Sequence, residues 1–227
     1  MLALFDRKRK PGINLKTPIS DARYVVVDTE LTGLEEKKDS IVSIGAMRMT
    51  GGRIELGDMF YRLVSPKTCL SADSVIIHEI TPSDVCEQPG IDTVLSEFID
   101  YCGNDVLVGH MISIDLSFLN REMRRMHGRK IANAALDTFS IYEWLRKRNM
   151  VANCAGNRLY DIIKCFDIPV HGAHNAIMDV FATAQLLQRF IPCFAKAGLQ
   201  DIGDLLTVGK PFNGGDRFEI TGEFSNF

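Results

Sequence analysis

Apolar and polar positions in the first third of the chain are typical of β-strands. Residues 24–27 form a short apolar run, and residues 40–49 and 53–64 are rich in strand-forming side chains. The pair Gly51-Gly52 separates the last two segments and favours a tight turn. Because the links are short, we expect the three strands to pair as an antiparallel meander.

From residue 92 onward the pattern changes, and apolar residues recur every three or four positions, as on one face of an α-helix. One short buried strand, residues 105–108, interrupts the helical segments. This order of elements predicts an α/β fold in which helices flank a mixed sheet. The predicted helices are residues 92–101, 114–126, 137–148, 159–166 and 175–196, the last with a bend at Pro192.

Composition limits the class of protein. The 227 residues, 46% hydrophobic and 24% charged, suit one globular domain with extra length at its ends. A net charge of -3 does not hold nucleic acid by bulk charge, so a polyanionic substrate would need local basic groups or bound cations. The six cysteines form no Cys-x-x-Cys pair, no apolar run is long enough to span a membrane, and the N-terminus does not resemble a secretory signal. We therefore expect a cytoplasmic protein with reduced thiols and no membrane contact.

Changes in pattern divide the chain into three regions. Residues 1–21 form a basic arm, which either contacts a nucleic acid or partner or is a solvated tail. Residues 22–197 form the predicted domain. Residues 198–227 form a C-terminal extension in which the pattern weakens, with an irregular tail from residue 209 onward.

Two acids end the first apolar strand, where Asp28-Thr29-Glu30 follows three valines. Alternate side chains of a strand share a face, so Asp28 and Glu30 point to the same side as Val26, and Thr29 points to the other. Buried carboxylates are costly unless they are paired or bind metal, so two of them at the end of a central strand require an explanation. The alternative is a pair of acids at a solvent-exposed strand end.

Two further segments carry an acid and a histidine near the start of a helix. Asp115 follows strand 105–108 and is either a site residue or an ordinary first-turn acid, and His110 is either a site residue or structural. Asp179 lies among apolar and small residues, so a surface position does not explain it. His174 precedes Asp179 by five residues, a net rotation of about 140° around a helix. His174 can therefore share a site with Asp179 only from the first helical turn or from just before it.

These three segments, in this order, resemble the DEDD superfamily of 3′–5′ exonucleases, in the branch with a catalytic histidine that includes epsilon-subunit-like and RNase T-like enzymes. The first motif runs from Val27 to Gly33, the second from Val108 to Asp115, and the third from His174 to Asp179. The resemblance covers residues 22–195 and implies a ribonuclease-H-like fold with a five-stranded mixed sheet. Residues 22–197 would then be an exonuclease domain.

The resemblance also implies residue roles for hydrolysis of phosphodiester bonds with two Mg²⁺ or Mn²⁺ ions. His174 is implied as the general base, because its ordinary pKa lies near neutrality. The implied metal ligands are Asp28, Glu30, Asp115 and Asp179, of which Asp28 bridges both ions. The implied substrate-binding residues are Thr29, Leu31, Thr32, Gly33 and His110.

Three functions remain open at this point. The first is a 3′–5′ exonuclease that releases nucleoside monophosphates from single-stranded DNA in proofreading or repair. The second is an exoribonuclease on RNA ends or short oligonucleotides. The third is a non-catalytic end-binding or polymerase-associated module, against which the complete set of catalytic residues argues. Expected partners are single-stranded 3′ ends and a DNA polymerase or sliding clamp. Residues 200–206 loosely resemble a clamp-binding peptide, with an ordinary amphipathic turn as the alternative.

Overall fold

A five-stranded mixed sheet forms the centre of the structure. The computed structural model describes residues 12–169 and 175–212. The strands are β1 (Arg23–Leu31), β2 (Ile41–Thr50), β3 (Arg53–Leu63), β4 (Val106–Gly109) and β5 (Ala135–Asp137). They lie in the order β3-β2-β1-β4-β5. Strands β1, β2 and β3 pair antiparallel, whereas β4 pairs parallel with both β1 and β5. The predicted meander and the predicted mixed sheet are thus confirmed.

Helices cover both faces of this sheet. The described residues form α1 (Ala72–His78), α2 (Pro82–Val85), α3 (Ile91–Cys102), α4 (Ser113–His127), α5 (Thr138–Arg146), α6 (Leu159–Cys165), α7 (Ala176–Lys196) and α8 (Ile202–Val208). All five predicted helices are present, and α7 continues through Pro192. Within the described part of the chain, each helix is too short or too polar to span a lipid bilayer.

The side chains of β1 alternate between two hydrophobic cores. Val25 and Val27 pack with apolar residues of α3 and α4 on one face. Val26 packs on the other face with apolar residues of α5, α6, α7 and α8. All three valines are fully buried, which is the pattern of a central strand covered on both sides. The direction in which any residue of β1 points therefore determines which helices it meets.

The predicted helix at residues 137–148 corresponds to α5, and a short strand that was not predicted precedes it. Asp137 ends β5, and α5 begins at Thr138. The Oδ1 atom of Asp137 accepts a hydrogen bond from the backbone N–H of Phe139 at 2.9 Å, so this aspartate caps α5. A strand of three residues is too short to show a period, which explains why sequence patterning did not separate it from the helix.

Both ends of the described chain pack onto the domain, and the predicted boundaries at residues 21 and 197 stay predictions. Ile19 is buried, and its backbone N–H donates to the carbonyl of Gln200 at 3.1 Å. Ile202 and Leu205 of α8 are fully buried. Sequence patterning missed α8 because seven residues with two buried side chains resemble a turn. The basic residues at 7–10 and the tail beyond residue 212 lie outside the described residues.

Strand β2 and the first turn of α7 approach each other closely at Gly45. Gly45 pairs with Asp28 across the β1–β2 ladder, on the sheet face that α7 covers. A Cβ atom at Gly45 would lie 2.8 Å from the backbone carbonyl carbon and oxygen of Ala176. Backbone atoms cannot turn aside as the end of a flexible side chain can, so a larger residue would push α7 away from the sheet.

We expect Gly45→Ala to lower the free energy of unfolding by about 1–3 kcal/mol, the usual cost of overpacking a tight contact. Urea denaturation measures this change. Gly57→Ala is the matched control, because Gly57 also lies in the sheet and a Cβ there would meet no heavy atom within 4 Å. Its unfolding free energy should stay within about 0.5 kcal/mol of the wild type. A Gly45→Ala variant as stable as the control would contradict the close approach.

Candidate active site

Three carboxylates converge where the end of β1 meets the first turn of α7. Oxygen atoms of Asp28, Glu30 and Asp179 all lie within 4.8 Å of one another. Strand alternation places Asp28 and Glu30 on the sheet face that α7 covers, and Asp179 reaches them from that helix. Glu30 and Asp179 are buried, and Asp28 is half-buried. We call these three residues the acidic cluster.

Asp115 lies beside the acidic cluster and is held from the other face of β1. Its Oδ1 atom accepts hydrogen bonds from the backbone N–H of Thr29 at 2.9 Å and from the Thr29 hydroxyl at 2.6 Å. Thr29 can make both bonds because it points toward α4, opposite to its neighbours Asp28 and Glu30. After burial, the charge of Asp115 is the next cause that raises the pKa of Asp28, so the two carboxylates are close enough to repel each other. The structure thus brings together all four carboxylates that the sequence singled out.

A tight turn between β4 and α4 delivers Asp115 to this position. A Cβ atom at Gly109 would lie 3.1 Å from the carbonyl oxygen of Val27, so the chain leaves β4 in close contact with β1. Met111 follows with a φ of 52°, which is uncommon for a residue other than glycine. The backbone N–H of Met111 donates to Oδ1 of Asp137 at 3.0 Å, which supports this conformation.

Burial and mutual repulsion raise the pKa values of these carboxyl groups. Burial, followed by the charges of the three other carboxylates, raises the pKa of Asp28 well above its usual range. Burial and the charges of Asp179 and Asp115 raise the pKa of Glu30 to about 8. Burial raises the pKa of Asp115 to about 7, although hydrogen bonds from Thr29 oppose the shift. The ionised forms are therefore disfavoured unless a cation is near.

The donor atoms suit a hard divalent cation. None of the ion pairs formed within residues 12–169 and 175–212 involves Asp28, Glu30 or Asp115. The acidic cluster offers only carboxylate oxygens, which are the ligands that Mg²⁺ and Mn²⁺ prefer. A bound cation would supply positive charge beside Asp28, Glu30 and Asp115.

A tyrosine that the sequence analysis did not single out contacts the acidic cluster. The hydroxyl of Tyr160, in the first turn of α6, donates a hydrogen bond to Oδ1 of Asp179. Its half-buried ring packs against the core that α6 and α7 share. The apolar stripe of α6 consists of Leu159, Ile162 and Ile163, and Tyr160 is offset from it. An aromatic residue outside the stripe is the only sequence signal for this contact, and it is weak.

His110 is held by the protein through both of its ring nitrogens. Nδ1 lies 3.0 Å from the hydroxyl of Thr138, and Nε2 lies 3.2 Å from the carbonyl oxygen of Asn157. A carbonyl only accepts, so we assign the proton to Nε2. Burial lowers the pKa of His110 to about 4, so the ring is neutral near pH 7. A substrate contact through either nitrogen would require one of these bonds to break, and the predicted substrate role of His110 stays a prediction.

The residues that follow Glu30 build a loop around Asp39. Leu31 is half-buried against the core on the α4 side. The hydroxyl of Thr32 donates to Oδ1 of Asp39 at 3.1 Å, and a Cβ atom at Gly33 would lie 2.5 Å from Oδ2 of the same carboxylate. A larger residue at position 33 would therefore have to displace the carboxylate of Asp39. The predicted substrate contacts of these residues remain predictions.

The predicted general base, His174, lies outside the described residues. The start of the adjacent helix is described. The side chain of Asn175 accepts a hydrogen bond from the backbone N–H of Ile177 at 3.2 Å and caps α7. Asp179 then falls in the first turn of this helix.

Comparison with known proteins gives a consistent family. The family model RNase T, described as an exonuclease, matches residues 25–187. The chain is 32% identical over 183 residues to the PolC-type DNA polymerase III of Bacillus subtilis. The aligned region covers 80% of this chain and 12% of that protein. It is 27% identical over 200 residues to the DNA polymerase III subunit epsilon of Aquifex aeolicus, and the aligned region covers 88% of this chain and 96% of that protein. The chain thus spans only a small part of the PolC-type relatives.

Solved structures share the fold. Exonuclease I of E. coli in complex with a dT13 oligonucleotide gives a TM-score of 0.69 at 14% identity, covering 78% of this chain and 43% of that one. Exonuclease X in complex with 5′ overhanging duplex DNA gives a TM-score of 0.62 at 22% identity, covering 82% of this chain and 99% of that one. The ribonuclease-H-like fold class is therefore confirmed. Because the family model matches more than half of its residues, the chain belongs to this exonuclease family, whose DEDD-type members are metal-dependent 3′–5′ exonucleases.

Proposed function

We propose that this protein hydrolyses phosphodiester bonds at the 3′ end of single-stranded DNA and releases nucleoside monophosphates by two-metal-ion catalysis. The observation that carries this proposal is the convergence of Asp28, Glu30 and Asp179, with Asp115 held beside them by Thr29. Four carboxylates without cations would repel a phosphodiester, so the arrangement suits a substrate that arrives together with metal ions. A module that only binds nucleic-acid ends has no need of this arrangement.

The four carboxylates would hold the two ions, Mg²⁺ or Mn²⁺. We assign the shared position to Asp28, because it lies within 4.8 Å of Glu30 and Asp179 and next to Thr29, which binds Asp115. Thr29 would keep Asp115 in place, so that a ligand from α4 and ligands from β1 face the same ions. When bound, such ions stabilise the charge that develops on the attacking and leaving oxygens of the phosphodiester.

We assign the removal of a proton from the attacking water to His174. This residue immediately precedes the Asn175 cap of α7 in the chain, and a histidine of ordinary pKa accepts protons near neutrality. His110 does not fit the role, because burial lowers its pKa to about 4 and both ring nitrogens already contact the protein.

The 3′-terminal nucleotide would bind beside the end of β1, and DNA is the better-supported substrate. Relatives named as DNA polymerase III proteins and a structural neighbour solved with a dT13 oligonucleotide both support DNA. The second candidate, hydrolysis of RNA ends, is supported by the name of the family model, RNase T. The proposed contacts are Thr29, Leu31, Thr32, Gly33 and His110.

We also propose a role in DNA replication or repair in the cytoplasm, in association with a DNA polymerase; the names of the relatives support the link to replication and to a polymerase. The described structure offers no support for a sliding-clamp peptide at residues 200–206. The apolar residues that such a peptide would present, Ile202 and Leu205, are buried within the domain.

We expect Asp28→Asn and Asp179→Asn each to reduce hydrolysis by about 10²–10³-fold or more, because each change removes a charge that holds the ions. The measurement is the release of mononucleotides from 3′-labelled DNA and RNA oligomers of equal sequence, with Mg²⁺, Mn²⁺ or chelator. DNA should be cut faster than RNA, and chelator should stop both reactions. Asp21→Asn, at the opposite end of β1, is the control and should retain full activity. Cleavage by the purified Asp28→Asn protein at the wild-type rate would refute the mechanism.

We expect His174→Ala to slow hydrolysis by about 10²–10⁴-fold while the affinity for Mn²⁺ is kept, since a general base does not bind the ions. Calorimetric titration with Mn²⁺ and single-turnover kinetics measure the two quantities separately. His127→Ala, at an exposed helix end, is the control. Loss of Mn²⁺ binding in His174→Ala would show instead that the imidazole is a ligand.

We expect the thermal stability of the metal-free protein to fall as pH rises from about 5 to 8. The pKa of Glu30 is raised from 4.5 to about 8 and that of Asp115 from 3.8 to about 7, so the folded state binds more protons than the unfolded state across this window. Stability contributed by the protonated carboxyls is present at low pH and is lost as they ionise. Mg²⁺ should therefore raise the unfolding midpoint more at pH 8 than at pH 5.5.

Glu30→Gln isolates this effect, because glutamine cannot ionise. The fall in the metal-free midpoint between pH 5.5 and 8 should be smaller in Glu30→Gln than in the wild type, by about 2–4 °C for each kcal/mol removed. Differential scanning calorimetry in chelator measures it. Identical pH slopes for the two proteins would contradict the raised pKa of Glu30.

A further inference from the structure

The acidic cluster receives a hydrogen bond from a residue outside the motifs that define the family resemblance. The hydroxyl of Tyr160 donates to Oδ1 of Asp179. A phenol is uncharged near pH 7 and a carboxylate has about four acceptor positions, so this bond leaves acceptor capacity for a cation and does not neutralise the charge. Asp179 is 8% exposed, and its carboxylate therefore has little contact with water.

Helix α6 is firmly held, so the position of Tyr160 is well defined. Leu159, Ile162 and Ile163 are buried in the core that α6 shares with α7. The side chain of Asp161 accepts from the backbone N–H of Arg158 at 3.3 Å, closing the N-terminal turn.

The segment that leads into α6 is also attached to the domain. The carbonyl of Asn157 accepts from Nε2 of His110 at 3.2 Å, and His110 contacts Thr138 at the start of α5. The backbone N–H of Cys154 donates to the hydroxyl of the buried Tyr142 at 2.8 Å. Tyr160 therefore extends from an anchored support rather than from a free loop.

We propose that Tyr160 is a positioning residue that holds the carboxylate of Asp179 in the orientation required for binding a divalent cation. This inference rests on the proposed exonuclease function. A carboxylate has broad torsional freedom about its last side-chain bond, and the phenol restricts that rotation. Without the hydroxyl, part of the binding free energy of the cation would be needed to orient Asp179 toward Asp28 and Glu30. Partners of this kind typically change metal affinity or activity by about 10–100-fold.

The decisive variant is Tyr160→Phe, which removes the hydroxyl and keeps the ring that packs against the core. Calorimetric titration of the nucleic-acid-free protein with Mn²⁺ should show a loss of affinity of about 10-fold. The Mn²⁺ concentration that gives half-maximal hydrolysis of a single-stranded DNA oligomer should rise by a similar factor. The KM for the oligomer at saturating Mn²⁺ and the unfolding midpoint in chelator should stay at wild-type values, which separates positioning from a general structural role.

Two further variants separate the outcomes. Tyr101→Phe is the matched control, because its half-buried tyrosine donates to the carbonyl of Asp58 at 2.7 Å on the opposite face of the sheet, and it should bind Mn²⁺ normally. Asp179→Asn should bind Mn²⁺ far more weakly than either. Wild-type affinity in Tyr160→Phe, or equal losses in Tyr160→Phe and Tyr101→Phe, would overturn the role of Tyr160 and leave the proposed function standing. A wild-type protein that binds no Mn²⁺ would overturn both.

Discussion

Repulsion among the buried carboxylates at the end of β1 is the interaction on which the properties of the site depend. The helices that bury the valines of β1 on both faces also bury the acids that follow them, so one packing arrangement stabilises the strand and disfavours the charges at its end. Burial and neighbouring charges raise the pKa values of Asp28, Glu30 and Asp115, and no lysine or arginine in the described residues forms an ion pair with them. The closely spaced negative charges that repel one another also attract a divalent cation.

Uncharged groups hold two of the carboxylates in place, and hydrogen bonds from such groups do not cancel the negative charge. Thr29 holds Asp115 with a backbone N–H and a hydroxyl, and Tyr160 holds Asp179 with a phenol. Gly45 contributes by having no side chain, which lets α7 approach the sheet. A lysine or arginine at any of these places would pair with a carboxylate and compete with the metal ion for it. Thr29 and Tyr160 therefore fix the positions of Asp115 and Asp179 without cancelling their charge, and a bound cation would compensate that charge.

The carboxylates could be predicted from sequence because each one breaks a local pattern. Acids that end an apolar strand or interrupt an apolar helix are visible without coordinates, and their joint order identified the family and the mixed sheet. The contacts that support the carboxylates do not break any pattern that is visible in the sequence. Gly33 approaches Asp39 closely in its own loop, and Tyr160 meets Asp179 only after α6 packs on α7. His110 has the position of a substrate contact in the motif, yet its two ring nitrogens bind protein atoms that are distant in sequence. Contacts of this type depend on tertiary packing, which periodicity and motifs do not encode.

The two halves of the site are held by different means. Asp115 accepts a hydrogen bond from the backbone of β1, which links α4 directly to the central strand. Asp179 accepts a hydrogen bond from Tyr160 of α6, and the close approach of α7 to the sheet at Gly45 brings it near β1. The segment before α6 that supports Tyr160 is in turn attached through a neutral His110, whose low pKa keeps this attachment independent of pH near neutrality. The pH dependence of the metal site should therefore come from its carboxylates and not from their supports. Substitutions in α6 should weaken metal binding while the β1–α4 half of the site stays intact.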